Sequence, residues 1–118
     1  MKQINIINAY NLLEELSNIK DLTEQEYWSL YNLRKKLRYH VEFYKEREEA
    51  IKSKYLEFVT DDGKLEGDKA REYLSEIEKL NNMESELEPV DKPEIRLVKE
   101  ISFTKAEQLE DFIKFISC

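Results

Sequence analysis

The sequence predicts a mainly α fold: a long antiparallel helical hairpin with a short flanking first helix, a small β segment and a C-terminal helix. Three observations carry this. Tyr27, Leu30, Arg34, Leu37, Val41, Tyr44, Glu48, Ile51, Tyr55 and Phe58 follow one another in alternating steps of three and four, a heptad stripe. Eight of those ten side chains are apolar or aromatic, so the stripe demands a partner surface. Beyond a turn, Ala70, Tyr73, Ile77, Leu80 and Leu87 repeat the rhythm. Two Gly and two Pro in 118 residues are too few for the many turns of an all-β chain.

The first helix is expected over residues 8–19, with Leu12, Leu13, Leu16 and Ile19 facing inward. Ahead of it, Ile4 and Ile6 alternate as on a short extended segment.

The long helix is expected over residues 23–60. Thr23-Glu24-Gln25-Glu26 is a capping box, in which the Thr23 hydroxyl accepts from the Glu26 amide and the Glu26 carboxylate accepts from the Thr23 amide. Asp21, Glu24 and Glu26 also suit the positive end of the helix dipole. No Gly or Pro interrupts the run, which at 1.5 Å per residue would be roughly 55 Å long. Asp61-Asp62-Gly63 is turn chemistry, and Gly63 is free to take positive φ.

The return helix is expected over residues 68–87, capped by Asp68 and followed by the helix-stopping Pro89 and Pro93. Counting outward from Gly63 sets residue 68 near 58, 78 near 48 and 88 near 38. Residues 94–103 read as a strand, with Ile95, Leu97 and Ile101 on one parity. Its partner is a hairpin strand, residues 2–6, or another chain. Thr104-Lys105-Ala106-Glu107 is a second capping box, opening a last helix over residues 105–117 with Leu109, Phe112, Ile113 and Ile116 inward.

One domain is expected for 1–118. Charged residues are 38% and the mean hydropathy is −0.72, enough to cover a seam or a small core. A net charge of −7 disfavours a general nucleic-acid binder. A single cysteine, Cys118, forms no internal disulfide. Residues 1–8 lack a signal-peptide core and no run of ~18 apolar residues occurs. The expectation is a cytoplasmic protein with no membrane partner.

Charge is unevenly placed. Residues 27–47 hold six Lys/Arg (Arg34, Lys35, Lys36, Arg38, Lys45, Arg47) against Glu42 and Glu46, a net of +4, leaving −11 on the remainder. Trp28, Tyr31 and Tyr39 interleave with these cations, as a nucleic-acid stacking groove would require. The hairpin register, however, sets Glu84, Glu86 and Glu88 near positions 38–42, so internal pairing is expected to occupy the basic run, with no direct nucleic-acid partner.

At 100° per residue, Trp28, Asn32, Lys35, Tyr39 and Glu42 fall opposite the heptad stripe. Either the first or last helix packs there, or the face binds a protein. Trp28, Tyr31, Lys35 and Tyr39 are the candidate partner-binding residues, because Trp and Tyr anchor interfaces.

No assembled enzyme site is legible. His40 and Cys118 cannot build a zinc site alone, no phosphate-cradling glycine loop or nucleophile elbow occurs, and Asp61-Asp62-Gly63 lacks the ligand spacing of a calcium loop. No catalytic residue, metal or cofactor is expected.

The layout resembles a family of small uncharacterised proteins of phages and prophages of Gram-positive bacteria. The residues that carry the resemblance are Leu12, Leu13 and Leu16; Tyr44-Lys45-Glu46-Arg47-Glu48-Glu49-Ala50-Ile51 with Lys54-Tyr55; the Asp-Asp-Gly-Lys turn; and Leu109-Glu110-Asp111-Phe112-Ile113. The resemblance implies a phage context and no reaction. Two functions fit: an acidic interaction protein that binds and modulates a bacterial protein such as a defence nuclease, or a morphogenesis factor such as a tail or capsid assembly chaperone. Homo-oligomers through the helical stripe or the strand edge are a further expectation.

Overall fold

Both halves of the Thr23 capping box are made. Glu26 N donates to Thr23 Oγ1 at 3.2 Å and Thr23 N donates to Glu26 Oε1 at 2.8 Å. They start the helix on which the whole chain is laid out in the computed structural model, which describes residues 1–87 and 91–117. In chain order the elements are α1 (Gln3–Leu16), α2 (Glu24–Tyr55), a 3-10 turn (Leu56–Phe58), α3 (Gly67–Asn82), β1 (Glu94–Arg96), α4 (Phe103–Gln108) and β2 (Lys114–Ile116). The 32 residues of α2 span ~48 Å, nearly the whole 53 Å long axis of the molecule. No helix among the described residues is long and apolar enough to cross a membrane.

The stripe on α2 serves two cores instead of one seam. Leu30 and Leu37, with Leu33 from beside the stripe, pack with Ile6, Leu13 and Leu16 of α1 and with Ile95, Leu109, Phe112 and Ile113 from the C-terminal segment. Tyr44, Ile51 and Tyr55 pack with Leu80 of α3, joined by Tyr73 and Ile77. The arm is an antiparallel hairpin. Tyr44 Oη donates to Asn81 Oδ1 at 2.5 Å, Lys54 meets Glu76 at 2.6 Å, the Tyr55 and Tyr73 rings meet edge to face, and Lys69 lies over Phe58. These contacts follow the register counted from Gly63, whose φ is +77°.

Helix ends differ from the sequence expectation wherever a distant segment takes the backbone groups. Helix α1 begins at Gln3, not near residue 8, and Ile6 is a fully buried helix residue rather than part of an extended segment. Gln3 N donates to Met83 O at 2.9 Å, and Lys2 bridges Glu84 antiparallel. That supplies a partner at a helix start lacking a side-chain cap. At its other end, Ser17 Oγ and Asn18 Nδ2 donate to the Leu13 and Glu14 carbonyls, and α1 stops at Leu16. Ile19 therefore lies beyond the helix, where its carbonyl accepts from Tyr27 Oη.

Helix α2 ends at Tyr55, short of residue 60: Leu56 N donates to Ser53 O and Val59 N to Leu56 O as the backbone tightens into the 3-10 turn, and Thr60 N then donates to Lys64 O within the loop. Helix α3 ends at Asn82, short of residue 87: Met83 is extended and its carbonyl is taken by Gln3. Leu87 thus packs on the larger core from outside any helix. Asp68 is not the cap; the helix starts at Gly67 after Glu66, and Asp68 pairs with Arg71 in the first turn. Helices α3 and α1 consequently lie head to tail along one side of α2.

The C-terminal expectation needs the largest correction. The strand covers Glu94–Arg96 alone, and Ser102, not Thr104, caps α4 by accepting from Lys105 N. The expected helix over 105–117 stops at Gln108, and Lys114–Ile116 becomes a strand parallel to β1, with Ile95 opposite Phe115. Leu109, Phe112 and Ile113 are still inward, but they turn the chain back toward β1. There Lys114 N donates to Pro93 O and Leu97 N to Ile116 O. The unpaired backbone of β1 recruits a β-branched and aromatic segment with good strand propensity. Within the chain the partner of β1 is therefore β2, and not residues 2–6 or an adjacent hairpin strand.

A candidate protein-binding face on the long helix

With Leu30, Leu33 and Leu37 turned into the core, the geometry of α2 points Trp28, Lys35 and Tyr39 the other way. All three are exposed, Trp28 to 64% and Tyr39 to 74%. Helix α1 packs on the leucine side, and the C-terminal segment packs on that same core. Neither covers Trp28 or Tyr39, so the bundle-completing alternative is not what the chain adopts.

Tyr31 is brought into direct contact with Trp28. Their rings stack with centroids 5.5 Å apart and planes 21° from parallel. Lys35 and Tyr39 follow on the same side, two and three turns beyond Trp28, and Tyr39 meets the His40 ring edge-on. Beside the stacked pair is a shallow depression lined by Ser17, Glu24, Tyr27 and Arg34. The Arg34 Nε is buried and finds no hydrogen-bond partner among the described residues.

The expected internal neutralisation of the basic run is not made by Glu84 or Glu86. Helix α3 stops before them, and the chain crosses to the start of α1, where Glu84 pairs with the Met1 amine at 3.0 Å. Glu88 lies outside the described residues. Ion pairs elsewhere include Lys52–Glu48, Lys54–Glu76, Arg96–Glu26 and Lys105–Glu15. Among the described residues none involves Arg34, Lys35, Lys36 or Arg38.

One buried polar cluster escaped the sequence reading. Glu26, read as a cap, is 7% exposed and also accepts from Arg96 N (2.9 Å), Nε (3.2 Å) and Nη2 (2.9 Å). Arg96 Nη2 further donates to Asp21 O at 2.7 Å. Burial pushes the Glu26 carboxyl up, but the Arg96 and Thr23 hydrogen bonds outweigh it and hold the pKa at about 2. The sequence signal was the carboxylate of the capping box; nothing local marks Arg96 as its partner. The cluster is a clasp between α2 and β1.

Among the described residues no three His, Cys, Asp or Glu side chains converge to hold a metal ion. Compared with protein-family models, curated proteins and solved structures, the chain matches none.

Proposed function

We propose that this chain is a non-enzymatic, phage-encoded interaction protein. It binds and modulates a bacterial protein, such as a host-defence nuclease, in the cytoplasm of the host cell. The observation that carries the reading is the solvated Trp28–Tyr31 stack, aligned with Lys35 and Tyr39 along α2. Large aromatic rings left in water without internal cover are the residues that become anchors when a partner desolvates them. An α-helix presenting them in a row fits a groove on another protein. The phage context is supported by the resemblance in layout, and the acidic balance of −7 favours approach to basic surfaces by the rest of the molecule.

A morphogenesis role is the second reading, favoured by one feature. The α2–α3 arm leaves Leu56 and Leu74 exposed at 71% and 62%, as a chaperone that holds an apolar segment would. Two captures separate the readings: tagged chain in bacterial host lysate, and tagged chain co-expressed with virion proteins. The modulator reading expects a host protein that is lost on replacing both Trp28 and Tyr39 with Ala. A virion protein retained by that double variant and lost on Leu56→Ser with Leu74→Ser favours the assembly role.

A further inference from the structure

The structure points to an acidic partner surface: we propose that the outer face of α2 docks into an apolar cleft on a protein whose rim carries carboxylates. This rests on the reading of that face as the working surface.

The placement of charge carries the inference. The chain has 26 acidic and 19 basic residues, so carboxylates are in excess. Yet Lys35, Lys36 and Arg38 make no ion pair among the described residues, and all three are exposed. At 100° per residue, Lys35 lies in line between Trp28 and Tyr39, Arg38 flanks the row on the Tyr31 side, and Lys36 flanks it on the other. The rings form the middle with Lys35 set among them, and Arg38 and Lys36 form the two margins, which is the plan of a protein interface with a largely apolar centre and a polar rim. Complementary potential then calls for anions opposite the margin.

The same geometry argues for protein over nucleic acid. Trp28 and Tyr31 each spend one ring face on the other, so the pair offers bases half the stacking surface of two separate rings. Every charged residue from Trp28 to Tyr39 is a cation, while Glu24 precedes that row and Glu42 and Glu46 follow it on the same side of α2. A phosphate backbone is a continuous line of charge and would meet them. A folded rim can set its few carboxylates against the cations and leave the glutamates in water.

Trp28 is the single tryptophan, so its emission reports this face alone. The full chain is titrated with two synthetic amphipathic helical peptides of equal length, one Leu/Glu and one Leu/Lys, and with a single-stranded oligothymidylate. The Leu/Glu peptide is expected to shift the emission to the blue and to bind roughly tenfold tighter than the Leu/Lys peptide, an effect that weakens in salt. Lys35→Glu with Arg38→Glu, both at exposed positions, is expected to invert the preference. Equal binding of the two peptides, a response to neither, or tighter binding of the oligothymidylate overturns the proposal. Tyr31→Ser with Tyr39→Ser separates it from the reading beneath it. If that variant loses peptide binding while charge reversal changes nothing, the face stands and its acidic partner falls. If it binds both peptides as the parent does, the face itself falls.

Discussion

Glu26 and Arg96, 70 positions apart, meet through Oε1 and Nη2 at 2.9 Å, and this contact joins the start of α2 to the small parallel sheet. The pair is asymmetric: the carboxylate side chain is 9% exposed and the guanidinium side chain 38%. Its Coulomb attraction is therefore partly screened on the arginine side. The carboxylate is held by several donors, among them two backbone amides, and does not depend on Arg96 alone.

The first prediction is acid sensitivity. The folded pKa of Glu26 lies at about 2, below the ordinary value of 4.5. A depressed carboxylate contributes stability above its unfolded pKa and loses it as pH falls through the folded one. The window is thus from about pH 4.5 down to about 2, and the loss is of order 3 kcal/mol before screening. Urea melts of the parent across that range should show the loss, and Glu26→Gln should flatten this part of the profile. A parallel decline in both proteins would assign the acid effect to other carboxylates.

The second prediction concerns the two cores. Leu37 is 1% exposed in the larger core, and Leu37→Ala should cost about 2–4 kcal/mol in a global melt. Ile51 is 8% exposed in the arm, where Ile51→Ala should cost about 2 kcal/mol. Hydrogen exchange distinguishes the two: Ile51→Ala should speed exchange in α3 more than in α1. Uniform acceleration would mean that arm and body open as one unit.

The third prediction tests the C-terminal strand. Ile95 is fully buried at the centre of the β1–β2 pair. Ile95→Ala should cost about 2–4 kcal/mol, and protection of the Lys114 and Leu97 amides should fall with it. Were residues 114–116 helical instead, the Leu97 amide would exchange freely in the parent.

The fourth prediction is the converse case. Trp28→Ala with Tyr39→Ala removes exposed rings, so the melting transition should stay within about 0.5 kcal/mol of the parent for each change. Partner capture should fall sharply at the same time. A large loss of stability would make these rings structural.

Several features of this chain were legible because their physics is local. The Thr23–Glu26 box, the positive φ at Gly63 and the three-four stripe from Tyr27 to Tyr55 depend on residues three or four apart, or on one residue's own sterics. The helix period alone also set Trp28 and Tyr39 opposite Leu37.

Tertiary structure decided the rest, because each remaining choice was made by a distant group. Met83 O set the start of α1 and the end of α3 together, and the stripe on α2 was divided between α1 and α3 by where those helices met. The segment Lys114–Ile116 had an apolar pattern compatible with either helix or strand, and the open backbone of β1 chose strand. Whether Trp28 met water depended on which side of α2 the other elements covered. Helical periodicity orients a side chain about its own axis, whereas exposure is set by the neighbours that close packing of the apolar side draws in.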